Sequence, residues 1–155
     1  MPISELLKII GVIGGNHCSA EEYDLAYKVG QGIAQAKAVL ICGGRGGIME
    51  ASCKGAVEAG GLTIGILPGD DISEANPYVK QPIATGLGIA RNIIIVKTAQ
   101  ALISIGGRYG TLSEMAFAAQ LSKPLFSLCP WIDIPESVVV KTPEEAVQRA
   151  IESIK

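Results

Sequence analysis

Aromatic residues make up only 5% of this 155-residue chain although 48% of it is hydrophobic, so its core has to be built from Ile, Val, Leu and Ala. That balance, with 19 glycines, suits a buried parallel sheet covered by helices. Cationic excess is missing too: 13 Lys and Arg face 15 Asp and Glu, and the basic residues are scattered singly. Without a basic field there is little counterion release to drive nucleic-acid binding. No apolar run reaches the length of a membrane span, and the amino terminus lacks the basic and apolar regions of a secretory leader. The expectation is a cytoplasmic protein that engages neither nucleic acid nor membrane. Cys18, Cys42, Cys53 and Cys129 form no C-x-x-C pair and read as free thiols in a reducing compartment, with no metal site expected.

What is present is a repeated unit of apolar strand, glycine turn and helix, within one domain spanning residues 1–155. Lys8 to Ile13 predicts a strand ending at Gly14-Gly15-Asn16-His17-Cys18, and Ser19-Ala20-Glu21-Glu22 has capping-box spacing for a helix to about Ala36. Ala38 to Cys42 repeats the strand, Gly43-Gly44-Arg45-Gly46-Gly47 the turn, and a second helix should run to about Ala59. After a third strand over Leu62 to Leu67, the polar, proline-marked stretch Asp70 to Gln81 is expected to be an exposed loop and a candidate lid. Gly88 to Lys97 suits either strand or buried helix, and its place between two strands favours helix.

Ala101 to Ile105 predicts the fourth strand, with a helix from Leu112 to about Leu121 beyond the next glycine turn. That helix is apolar nearly all round, which points to a central position or a subunit interface. A fifth strand should follow Lys123-Pro124 through Leu128, and Val138 to Val140 reads as a short edge strand. Thr142-Pro143-Glu144-Glu145 opens the last helix with proline at its first position.

Strands alternating with helices imply right-handed crossovers and a three-layer, Rossmann-like, doubly wound parallel α/β sheet, most simply in the order 3-2-1-4-5 plus the edge strand. Strands one and four are then neighbours whose helices leave to opposite faces, and the crevice lies at their carboxyl ends. Gly14, Gly15, Asn16 and His17 fall on one side of it, Gly106, Gly107, Arg108, Tyr109, Gly110 and Thr111 on the other, with Gly43, Gly44, Arg45, Gly46 and Gly47 beside them. Such loops let backbone N–H groups approach an oxyanion, and a helix start adds unpaired N–H groups and a positive dipole end. A phosphorylated small molecule is the expected ligand. No loop spells G-x-G-x-x-G or G-x-x-x-x-G-K-[ST], which disfavours an ordinary NAD site or P-loop ATPase.

Three of the four arginines, Arg45, Arg91 and Arg108, lie in or beside these loops, where guanidinium groups grip phosphate or else sit as solvated turn residues. Glu114 reads as an acid, base or cation stabiliser, but Thr111-x-x-Glu114 also has capping-box spacing, and spacing does not choose between them. His17, the single histidine, suggests ligand contact without an identifiable catalytic partner.

Two stretches, Gly43 to Ala51 and Gly106 to Glu114, resemble the paired signatures of the LONELY GUY or lysine-decarboxylase-like (SLOG) superfamily, and the likeness runs from about Lys8 to Pro124. Ser73 to Tyr78 and Gly86 to Asn92 look most like the branch containing molybdenum cofactor carrier proteins. The resemblance implies a homodimer or homotetramer that holds a nucleotide or pterin. In the superfamily's phosphoribohydrolases, which cleave the N-glycosidic bond of nucleoside 5′-monophosphates, Gly107, Gly110 and Thr111 would hold phosphate, with Arg91 and Glu114 as the catalytic pair. Ile105 replaces the proline of that motif and Asn92 the lysine that commonly follows the arginine, and both changes resemble the carrier branch. The resemblance therefore implies carriage of the molybdenum cofactor first and nucleotide hydrolysis second; a nucleotide-sensing protein is a third reading, of a different class.

Overall fold

The computed structural model describes residues 2 and 6–154. Its elements run β1 (Ile9–Gly14), α1 (Ala20–Gln35), β2 (Val39–Cys42), α2 (Ile48–Glu58), β3 (Thr63–Leu67), β4 (Gln81–Ala84), α3 (Asn92–Thr98), β5 (Ala101–Ile105), α4 (Tyr109–Gln120), β6 (Leu125–Leu128), β7 (Ser137–Val139) and α5 (Pro143–Ser153). Among the described residues these strands form one parallel sheet in the order β4-β3-β2-β1-β5-β6-β7.

Side-chain alternation along each strand sorts the core into two layers. Ile10 and Val12 of β1 and Ile103 and Ile105 of β5 pack under α1, α2 and α5. Ile13 and Leu102 pack under α3 and α4 on the opposite face. This is the three-layer, Rossmann-like α/β class read from the sequence. The helices after β1 and β5 leave to opposite faces, and those two strands pair from Ile10↔Ala101 to Gly14↔Ile105, so the crevice opens at Gly14 and Ile105.

Three local expectations are corrected. The order 3-2-1-4-5 recurs at the centre of the sheet, but a further strand, β4, lies outside β3 where the chain leaves the expected loop. It is four residues long, mostly exposed and contains Pro82, which an edge strand tolerates, so it carries no apolar alternation by which to recognise it. The expected loop also contains a 3₁₀ turn, Ile72–Glu74, capped by Asp71. Finally, α4 starts at Tyr109 instead of Leu112: Gly107, at φ +103°, turns the chain so that Arg108 becomes the N-cap residue, and Leu112 N–H donates to Arg108 C=O at 2.9 Å. The choice of helix over strand at Gly88 to Lys97 holds, as a 3₁₀ turn over Gly88–Arg91 leading into α3.

Helices α1 and α2 touch through their backbones. A Cβ on Gly30 would overlap the carbonyl oxygen of Ser52, and one on Gly55 the carbonyl oxygen of Tyr27. Because backbone cannot rotate away, Gly30→Ala or Gly55→Ala is expected to lower the unfolding free energy by about 1–3 kcal/mol. Urea denaturation of each variant checks this, and an unchanged midpoint would mean that the two helices separate freely.

Candidate functional site

The hydrogen bonds of the three glycine loops assign them different tasks. In the loop before α2, Gly44 N–H donates to Cys42 Sγ at 3.3 Å, Gly46 N–H to Asn16 Oδ1 at 2.8 Å and Ile48 N–H to Gly15 C=O at 3.0 Å. Its carbonyls are used as well: Gly44 C=O accepts from Asn76 N–H at 2.9 Å and Arg45 C=O from Asn76 Nδ2 at 2.8 Å. Two of the donors that would greet an anion at the start of α2, those of Gly46 and Ile48, are therefore spent inside the protein. Arg45 pairs with Glu74 at 3.0 Å, and neither it nor Gly44, Gly46 or Gly47 lines the crevice.

At the start of α4 the situation is reversed. No side chain caps this helix and its first intrahelical N–H is that of Leu112, so Tyr109, Gly110 and Thr111 have no intrahelical acceptor. Gly107 lies in the left-handed region against Thr111, whose side chain a Cβ there would overlap. An uncapped helix start beside a crevice has the donors and the dipole end that suit an anion.

Next to it lies a cavity of about 340 Å³, within the range of small-molecule sites. Val12, Ile13 and Met49 give it apolar walls; Gly14, Gly15, Asn16, His17 and Gly43 line one side, and Arg108, Gly110 and Thr111 the α4 side. Arg91 and Glu114 complete it, as expected, together with Asn92. The guanidinium of Arg91 is anchored: Nε donates to Ile66 C=O at 2.9 Å, Nη1 to Asn92 Oδ1 and Nη2 to Gly43 C=O at 3.5 Å. Asn92 Nδ2 donates to Ser113 Oγ at 3.3 Å and Ser113 Oγ to Gly110 C=O, which links the Arg91 turn to the start of α4.

The helix start also decides between the two readings of Glu114. Thr111 is already inside α4, so the Thr111/Glu114 capping box does not form, whereas Ser19/Glu22 makes a complete one. Glu114 instead lines the cavity at 8% exposure. Burial pushes this carboxyl up to about 8, with the Arg91 cation pulling the other way and Cys42 adding to the rise. Burial draws Arg91 below its usual value, while Glu114 opposes the shift. Beneath them Cys42 and Cys53 meet at 3.5 Å between sulfurs; the bond from Cys53 pulls the Cys42 thiol down, and burial together with that bond pushes Cys53 up.

A second cavity of about 670 Å³ shares His17 and Arg108 with the first and is closed by Cys18, Glu22, Gly106, Gly107, Cys129 and Trp131. Arg108 lies 5.3 Å over the Trp131 ring, and exposed Tyr109, which lines neither cavity, meets Trp131 edge-on at 5.0 Å. The sequence reading passed over Asn92, Met49, Cys129 and Trp131. The last two follow β6, and a search of every strand's carboxyl end would have found them.

Between its ordinary value of 4.5 and about 8, the folded protein keeps a proton on Glu114 that the unfolded chain has released. Stability assigned to this group therefore falls as pH rises through that window, by up to about 1.4 kcal/mol per pH unit, and levels off above it. Glu114→Gln is expected to flatten that slope and to be the more stable protein at pH 8. Urea denaturation of both proteins from pH 5 to pH 8.5 measures the difference, and parallel profiles would show an ordinary, solvated carboxylate.

A family model described as the SLOG cluster4 family matches residues 7–153. An uncharacterized protein of Archaeoglobus fulgidus is 50% identical over 144 residues, which cover 93% of this chain and 95% of that one. Among solved structures, the molybdenum cofactor binding protein from the phototrophic bacterium Rippkaea orientalis superposes with a TM-score of 0.92 at 35% identity, over 97% of this chain and 99% of its own. The molybdenum cofactor carrier protein from Chlamydomonas reinhardtii gives 0.87 at 32% identity, over 96% and 98%. With a match over nearly its whole length, including both glycine motifs, the chain belongs to the SLOG cluster4 family.

Proposed function

We propose that this protein binds and carries the molybdenum cofactor, a pterin bearing a phosphate. The observation that carries the reading is the uncapped start of α4, where Arg108, Gly110 and Thr111, the last two with N–H groups that have no intrahelical acceptor, line a cavity with apolar walls. Gly107, Gly110 and Thr111 would hold its phosphate, and Gly14 to His17, Gly43 and the Arg91–Asn92 pair would border its ring system. The bound cofactor supplies metal and dithiolene chemistry to whichever enzyme receives it; the residues of this chain hold, orient and shield it. Resemblance to a cofactor binding protein and a cofactor carrier over nearly the full chain supports this choice of ligand. Exposed Phe117 and Leu121 on the outer side of α4 support assembly into a homodimer or homotetramer, and the free thiols Cys18 and Cys129 suit a cytoplasmic setting.

A second reading is supported by Glu114, which shares the cavity with Arg91 and has no capping duty. With a nucleoside 5′-monophosphate in place, these two residues would act in hydrolysis of the N-glycosidic bond.

Purified protein is expected to take up the cofactor from a donor molybdoenzyme, measured by molybdenum and pterin content after gel filtration. Gly107→Val should reduce uptake at least tenfold, because its side chain would meet Thr111 and unmake the turn. Retention of nucleotides but not of cofactor would overturn carriage. The hydrolytic reading predicts free base and ribose 5-phosphate from AMP, GMP or CMP, with release abolished in Glu114→Ala; no release across that panel excludes it.

A further inference from the structure

Glu114 has more to do than fill space, because its surroundings leave it without a partner. Glu114 is 8% exposed and lines the cavity, and no hydrogen bond or ion pair to its carboxyl is found among the described residues. Nearby donors are turned mostly elsewhere: three of the five N–H groups of Arg91 go to Ile66, Asn92 and Gly43, and one amide N–H of Asn92 goes to Ser113. A buried carboxyl with no donor is costly unless a ligand brings one. A metal cation is a poor candidate, since the fixed positive charge of Arg91 stands beside the carboxyl and no group of three His, Cys, Asp or Glu that could hold a metal occurs among the described residues.

We infer that Glu114 is the residue that selects the ligand, by accepting a ring N–H and an adjacent exocyclic NH₂ on its two carboxylate oxygens. That paired edge is common to 2-amino-4-oxopteridines and guanine. Two parallel N–H···O bonds to one carboxylate reproduce the fork geometry of an arginine–carboxylate pair. Walls formed by Val12, Ile13 and Met49 keep the local dielectric low and so strengthen both bonds. A hypoxanthine ring offers one of the two donors, and an adenine ring turns a lone pair toward the carboxylate. The inference rests on the reading that the phosphate of the same ligand lies at the start of α4, which leaves the ring to enter the cavity toward Glu114.

Ligand binding then has a proton signature. The charged or titratable groups around the carboxyl are Arg91 before α3, Cys42 at the end of β2, His17 after β1 and Arg108 at the start of α4. In the free protein the carboxyl is largely protonated at pH 7, and seating two N–H donors on it requires the ionised form. One proton per site leaves as the ligand binds, going to the buffer.

Isothermal titration of the intact protein at pH 7, in buffers of different ionisation enthalpy, tests this with the molybdenum cofactor and with GMP, IMP and AMP. The three nucleotides carry the same phosphate, so its titration cancels in the comparison. Expected is release of close to one proton with the cofactor and with GMP, and GMP affinity roughly tenfold or more above that of IMP and AMP. In Glu114→Gln and Glu114→Ala, both checked for folding by circular dichroism, proton release and the preference for GMP over IMP should vanish. Cofactor binding with no proton release that depends on Glu114 would overturn the inference and leave carriage standing. Equal affinity for GMP and IMP in the wild-type protein would likewise overturn it. If neither the cofactor nor any nucleotide binds, the inference falls together with the function proposed above.

Discussion

Parallel pairing of β1 with β5 is the constraint on which the rest of the molecule depends. These strands are far apart in sequence, yet they run side by side from Ile10↔Ala101 to Gly14↔Ile105, and their helices must leave to opposite faces of the sheet. A gap between the two departing chains follows from that geometry alone. Everything with chemical interest in the protein borders this gap: the loop after β1, the uncapped start of α4, the anchored Arg91 and the buried Glu114.

Glycine loops that look alike in sequence act differently once their hydrogen bonds are traced. The loop Gly43 to Gly47 uses the N–H groups of Gly44 and Gly46 on Cys42 and Asn16 and the carbonyls of Gly44 and Arg45 on Asn76, so it serves largely as an internal tie. Gly106 N–H is used on Leu128 C=O, but Gly110 and Thr111 beside the crevice have no intrahelical acceptor, because Gly107 turns the chain after β5 so that α4 begins without a side-chain cap. What matters for anion binding is whether a donor remains unspent, and no count of glycines reports that.

Most of the architecture was legible because it rests on local signals with simple causes. Buried parallel strands are unbroken apolar runs, and Ser19 and Thr142 mark their helices by accepting backbone N–H bonds, at 3.1 Å in both cases. Edge strand β4 escaped because exposure removes the apolar pattern that identifies a strand. The site was legible as a neighbourhood and illegible in its roles. Arg45 and Arg91 both lie near glycine loops, but Glu74 draws one to the surface while the carbonyls of Ile66 and Gly43 hold the other in the cavity. Those partners lie 25 to 48 residues away in sequence, beyond the reach of any motif. The ambiguity over Glu114 turned on a three-residue difference in where α4 begins, and element boundaries are what periodicity reports least well.

That boundary bears on the choice between holding a ligand and cleaving it. A carboxyl with its proton retained up to about pH 8 cannot stabilise an oxocarbenium-like centre by charge, and the neighbouring Arg91 cation would oppose such a centre. It could still protonate a departing base as a general acid, but the reacting sugar would then have to lie against a group that binds best by giving its proton away. For a carrier the same arrangement is favourable: the neutral carboxyl is tolerable when buried in the unloaded protein, and in the proposed mode it would ionise as a ligand with two donors arrives. Affinity then comes from the difference between the two protonation states, which is why a buried acid beside an already committed arginine suits recognition better than bond cleavage.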